Sequence, residues 1–176
     1  MTALITMSQT VDATRTTTRV DRKVESPDDL RAIVGERGLI ELALQAVQHF
    51  GSDLPMWHKT TEPELSSRML LALLTYSYAA GFYASEDIHW ACRSDHGARY
   101  LCANTWPDEQ SLRRFRRKWR PLIQSCLEWV YVTAETMRNT RLAEYKKPAY
   151  GNIGHYRHLA EQRIESAILM DMAACD

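Results

Sequence analysis

Residues 64–81, ELSSRMLLALLTYSYAAG, decide the fold. Wound as a helix, the run places Leu65, Met69, Leu70, Leu71, Leu73, Leu74 and Tyr78 almost all round its surface. A helix that is apolar on every side belongs at the centre of a helical core. Gly81 is placed to stop it. The charge-free stretch extends from 69 to 85, yet it carries Thr75, Ser77 and three tyrosines and falls short of a comfortable bilayer span. A buried core helix is therefore expected, and no membrane association.

Working outward, the Ser26-Pro27-Asp28-Asp29 run offers a cap, a proline suited to a first helical position and two carboxylates for the positive helix end. The helix it starts runs to Phe50, with Leu39, Leu42, Ala43, Ala46, Val47 and Phe50 at three-and-four spacing, Gly35 and Gly38 interrupting its first turns and Gly51 ending it. Before it, residues 1–25 hold seven threonines with Arg15, Arg19, Arg22 and Lys23 and no apolar period, which predicts a disordered basic arm. Beyond Gly81, Ser85 is expected to cap a short helix with Glu86 and Asp87 in its first turn and Ile88, Ala91 and Cys92 inside. Gly97 is expected to break it, and Pro107-Asp108 to start the next.

In that next helix Leu112, Phe115, Trp119, Leu122 and Ile123 share one stripe, and Gln110, Arg113, Arg114, Arg117 and Arg120 spread over the other side. Pro121 kinks or restarts it. Residues 122–147 continue as helix with Leu127, Val130, Ala134, Met137 and Leu142 on one face, Pro148 and Gly151 close it, and Leu159, Ile164, Ala167, Ile168 and Met172 mark a last helix. No alternation long enough for a strand and no repeat occurs. The expected fold is all-α: the arm at 1–25, a helical domain at 26–121 containing a helix-turn-helix-like unit, and a C-terminal helical hairpin at 122–176.

The size supports one core: 176 residues and 20.3 kDa, 45% hydrophobic and 25% charged, with only 7 glycines and 6 prolines. Lysine plus arginine equals aspartate plus glutamate at 22 each, but the balance is local. Residues 1–90 carry 8 basic and 12 acidic side chains, residues 91–120 carry 8 and 3, and residues 121–176 carry 6 and 7. The zero conceals a basic island. Four scattered cysteines with no secretory segment before them read as reduced thiols in a cytoplasmic protein.

Two short helices joined by a tight connection, the second bearing arginine on its outer face, is the geometry that sets a recognition helix into the DNA major groove. Arginine forks bridge phosphates or pair with guanine, and Gln110 near the helix start suits adenine. Charge pattern alone leaves a second reading open, a solvated cationic face that balances acids elsewhere. The run 68–81, followed by Ser85, Ile88, Ala91-Cys92, Arg99, Leu101, Pro107-Asp108 and Arg114-Phe115-Arg116, resembles the N-terminal domain of insertion-sequence DDE transposases over about residues 27–123. The resemblance implies a helical domain that binds the terminal inverted repeats of its element. It implies Asp108 as helix cap, with Gln110, Arg113, Arg114 and Arg117 as double-stranded DNA contacts; Arg116, Lys118 and Arg120 extend the cationic set toward phosphate.

Those transposases continue into an RNase H-like sheet whose clustered carboxylates hold two cations. After Asp108 the next aspartate here is Asp171, and Glu128, Glu135 and Glu144 fall in predicted helix. The expectation is a DNA-binding remnant or repurposed module with no catalytic residues, no cofactor and no cutting or joining activity of its own. Its rival is a helical interaction module that pairs with itself or with a full-length transposase through 122–174. His89, Cys92, His96 and Cys102 have loose zinc-ligand spacing but read better as buried thiols beside interfacial histidines, so no metal is assigned. The His155-Tyr156-Arg157-His158 run lacks the histidine pair or spaced arginines that a tyrosine nucleophile needs. Trp90, Trp106, Trp119 and Trp129 suit base stacking or core anchoring, with anchoring preferred.

Overall fold

From residue 71 to residue 80 no side chain reaches solvent appreciably, as an all-round apolar helix requires. The computed structural model describes residues 29–54, 66–142 and 153–174, and builds the remaining described elements round this helix. In order they are α1 (Arg31–Phe50), α2 (Ser67–Ala79), α3 (Ser85–Ser94), α4 (His96–Leu101), α5 (Glu109–Leu142) and α6 (Ile153–Ala173). The fold is all-α, with no strand among the described residues. The arm at 1–25, the Ser26, Pro27 and Asp28 part of the first start signal, and the stop signals at Pro148 and Gly151 lie outside the described residues.

Local chemistry sets most of the boundaries. Ser66 caps α2 by accepting from the Met69 amide at 3.2 Å, and Gly81 follows the helix at φ 89°, a conformation that costs glycine little. In α1, Gly35 departs from helical geometry at φ 78°, so the interruption expected there is present. Asp29 accepts from the Arg31 amide at 2.8 Å, and the Leu30 amide donates to the Ala79 carbonyl at 2.9 Å, tying the start of α1 to the end of α2.

α5 merges two helices across a kink at Trp119 (φ −116°, ψ 23°), two residues before Pro121. The missing Pro121 amide and its ring account for the bend. Beyond the kink, Ile123, Cys126, Leu127, Val130, Tyr131 and Ala134 are buried, as are Tyr156, Ala160, Ile164 and Ala167 of α6, which packs against α5. Met137 and Met172, expected on the inner faces, are instead exposed, as are Leu169 and Met170. The 121/122 boundary between the expected domain and its C-terminal hairpin falls inside α5.

The break between α3 and α4 also differs from expectation. Asp95, not Gly97, separates them: its extended backbone ends α3, and its carboxylate caps α4 by accepting from the Ala98 amide at 2.9 Å. Gly97 serves another purpose. A Cβ there would lie 2.3 Å from the Tyr76 hydroxyl and 2.4 Å from the adjoining ring carbon. Because the ring as well as the hydroxyl must move, Gly97→Ala is expected to destabilise the protein by about 2 kcal/mol in urea unfolding. A loss below about 0.5 kcal/mol, ordinary for a surface change, would show that the contact is not tight.

Candidate nucleic-acid interface

The helix start at Pro107-Asp108 is built as a side-chain cap. The Asp108 carboxylate accepts from the Ser111 amide at 2.7 Å and from its hydroxyl at 2.9 Å, and these bonds hold the carboxyl below its usual range. From this fixed start, one turn after another presents Gln110, Arg114, Arg117 and Lys118 to solvent. No described carboxylate lies within ion-pair distance of Arg114, Arg117 or Lys118. From Gln110 to Lys118 the row spans about 12 Å of helix.

The other candidates are placed differently. Arg113 is half-buried, bonded to Glu109 at 3.0 Å and 3.4 Å from Asp171. Arg120 faces Glu165 of α6 at 3.4 Å. Arg116 corrects the sequence reading: it is 4% exposed and points inward. One guanidinium nitrogen donates to the Tyr78 hydroxyl at 3.0 Å and another to the Asp171 carboxylate, so a phosphate cannot reach it without opening the core. The wheel explains the error, because Arg116 lies nearer Leu112 than Arg117 does.

Asp171 was not legible as a partner, although a lone carboxylate inside Ile168-Leu169-Met170-Asp171-Met172 is a signal of a buried pair. Its two oxygens accept from the Ser85 amide and hydroxyl, each at 2.7 Å. Ser85 is thus the first residue of α3 rather than its cap, and the cap is supplied by a side chain 86 residues away. Burial pushes the Asp171 carboxyl up, but the Ser85 and Arg116 donors outweigh it and its pKa is lowered. Burial likewise pushes the Tyr78 hydroxyl up to about 12, against the pull of Arg116. Both groups keep their neutral-pH states, an anion and a phenol.

Cys92 and Cys102 are buried, with the Cys102 thiol donating to the Arg99 carbonyl at 3.5 Å, and burial pushes both thiols up, away from the thiolate a metal needs. His89 donates from Nδ1 to the Pro107 carbonyl at 2.9 Å, and exposed His96 stands 4.0 Å from Glu36. Among the described residues no group of three or more histidine, cysteine or acidic side chains converges as metal ligands do. His155 and Tyr156 pack edge to face, with Tyr156 buried. Trp119 and Trp129 are partly buried against the core, but Trp90 and Trp106 are 56% and 55% exposed, so core anchoring fails for these two. No described helix is long and apolar enough to cross a membrane.

A helical domain with an outward cationic row on one long helix is the class of protein this geometry defines. A family model, Transposase domain (DUF772), matches residues 18–118, more than half of the chain, and the chain belongs to this transposase domain family. No curated protein and no solved structure matches it significantly.

Asp171 also sets an acid limit. Its lowered pKa means that its contribution to stability is complete above the ordinary carboxylate value and disappears as pH falls through the value in the folded protein. Urea midpoints are expected to drop on acidification below about pH 4. Asp171→Asn lowers stability at neutral pH and flattens that acid slope; Asp171→Ala, which leaves Arg116 buried and unpaired, costs about 3 kcal/mol or more. An unchanged acid slope in Asp171→Asn would assign the acid sensitivity elsewhere.

Proposed function

We propose that the protein is a DNA-binding module of transposase origin that holds double-stranded DNA against the outer face of α5 and does not itself cut or join strands. The observation that carries this reading is the exposed row Gln110, Arg114, Arg117 and Lys118, whose three cations lack ion-pair partners among described carboxylates. Membership of a transposase domain family supports it. In this reading Arg114, Arg117 and Lys118 neutralise phosphates, Gln110 near the helix start faces a base edge, and Arg113 and Arg120 contribute only as far as their own acids release them. Arg116 acts through the fold. The DNA is the end of a mobile element or a site derived from one, and the role is binding such ends or regulating an intact transposase.

Three phosphate contacts give a log affinity against log salt slope of about −2.7 for duplex DNA, measured by fluorescence anisotropy. Arg114→Ala with Arg117→Ala is expected to weaken binding to all sequences and make the slope shallower by about 1.8, with the melting temperature unchanged. Salt-insensitive binding, or no loss in the double variant, would remove α5 from the interface.

A second reading, self-association or pairing with a full-length transposase, is favoured by one observation: Leu169, Met170 and Met172 are exposed together near the end of α6. Deleting 122–176 does not test it, because the deletion also removes Asp171 and the buried half of α5. Leu169→Glu with Met172→Glu leaves Asp171 in place. If this surface associates, sedimentation shows oligomers in the native protein and monomers in the variant, with DNA affinity per chain retained. Monomers in both would discard the surface.

A further inference from the structure

Tryptophan is highly buried on average, yet Trp90 on α3 and Trp106 in the loop before α5 are each more than half exposed. They are held together by a cation. The Arg93 guanidinium lies 5.3 Å from the Trp90 ring centroid and 5.0 Å from that of Trp106, within cation-π range of both. The frame beneath is fixed. His89, next to Trp90, bonds the carbonyl of Pro107, next to Trp106, and the loop turns through left-handed Ala103 (φ 50°) and Asn104 (φ 57°). The Thr105 amide and hydroxyl both donate to the Cys102 carbonyl. Exposed indoles on a rigid mount offer flat apolar faces at little ordering cost.

The surroundings select the occupant. Trp106 stands four residues before Gln110, where the cationic row of α5 begins, and residues 91–120 carry the basic excess of the chain. A flat apolar surface beside positive charge suits a polyanion with aromatic faces. Inside a duplex those faces are covered by neighbouring base pairs and are open only where a strand is unpaired. We infer that Trp90, Arg93 and Trp106 form a stacking site for unpaired bases of a DNA strand whose duplex part lies on α5. This inference rests on the DNA-binding reading above. Arg93 caps the indoles in the free protein; in the complex the bases take the ring faces and the guanidinium turns to the strand phosphate. Stacking of this kind tolerates any base, so the site selects structure rather than sequence.

Anisotropy with a blunt duplex and the same duplex bearing a short single-stranded thymidine tail tests it on the full chain. The tailed duplex is expected to bind about tenfold more tightly. Trp90→Ala with Trp106→Ala removes that preference and leaves blunt-duplex affinity and the melting temperature unchanged, whereas the corresponding phenylalanine variant keeps most of the preference. Indole fluorescence gives a check that needs no variant: the tail, and not the blunt duplex, quenches the native protein. Equal binding of the two duplexes by the native protein overturns the stacking site alone. So does an equal loss for both duplexes in the alanine variant, or loss of self-association there with tail binding intact. Failure of every duplex to bind overturns the DNA-binding reading and the stacking site together.

Discussion

The carboxylate of Asp171 fixes how the long helix α5 is turned. It accepts from the Ser85 amide and hydroxyl, pairs with Arg116, and lies 3.4 Å from Arg113. Arg116 in turn donates to Tyr78, so the starts of α3 and α5 and the ends of α2 and α6 meet at one anion. Burying that charge is costly, and attraction alone repays it only when the remaining lone pairs are also occupied. Here they are. The pairing leaves Arg116 a single direction, inward, and the helix period then sends Arg114, Arg117 and Lys118 outward. Exposure of the cationic row follows from concealment of one arginine.

A second aspartate does comparable work on the opposite side of α2. Asp95 accepts from the Tyr76 hydroxyl at 2.9 Å and from Arg31 at 2.6 Å, while capping α4 through the Ala98 amide. Tyr76 and Tyr78 are two residues apart and so point about 200° from each other on the helix. Each brings its hydroxyl to a different aspartate-arginine pair. That is how the buried stretch 71–80 carries two phenols, each with its hydroxyl hydrogen-bonded. It also explains Gly97, since a side chain there would close the space that Tyr76 crosses to reach Asp95.

The parts of the fold governed by period and punctuation were legible in the residues themselves. The all-round apolar run at 71–80, the interruption at Gly35, the turn at Gly81, the Asp108 start and the bend near Pro121 depend on neighbours within a few positions. What escaped depends on distant partners. Ser85 has the composition of a cap, but a carboxylate 86 positions away takes that role. Gly97 has the composition of a helix breaker, but space for Tyr76 is what requires it. Arg116 sits in a run of cations whose outward members it matches in type, and only Tyr78 and Asp171 distinguish it. The exposure of Trp90 and Trp106 was illegible for a related reason: burial of an aromatic is set by what packs over it, and the Arg93 guanidinium on both rings, with the edge of His89 at Trp90, leaves more than half of each residue exposed.

The family match ends at Lys118, one residue before the kink at Trp119. The cationic row therefore lies wholly within the matched segment, while the second half of α5 and all of α6 lie beyond it. These outer parts are nonetheless structurally inseparable from the row. Asp171 and Glu165 of α6 hold Arg116 and Arg120, and Ile123, Cys126 and Leu127 bury the continuation of the same helix in the same core. A charged face on α5 needs only a helix, but a face with a fixed rotation needs a partner that takes one arginine of the run out of water. In this chain that partner comes from outside the family segment, and a segment ending at Lys118 would keep five of the six cations of 113–120 while losing the contact that sorts inward Arg116 from its outward neighbours.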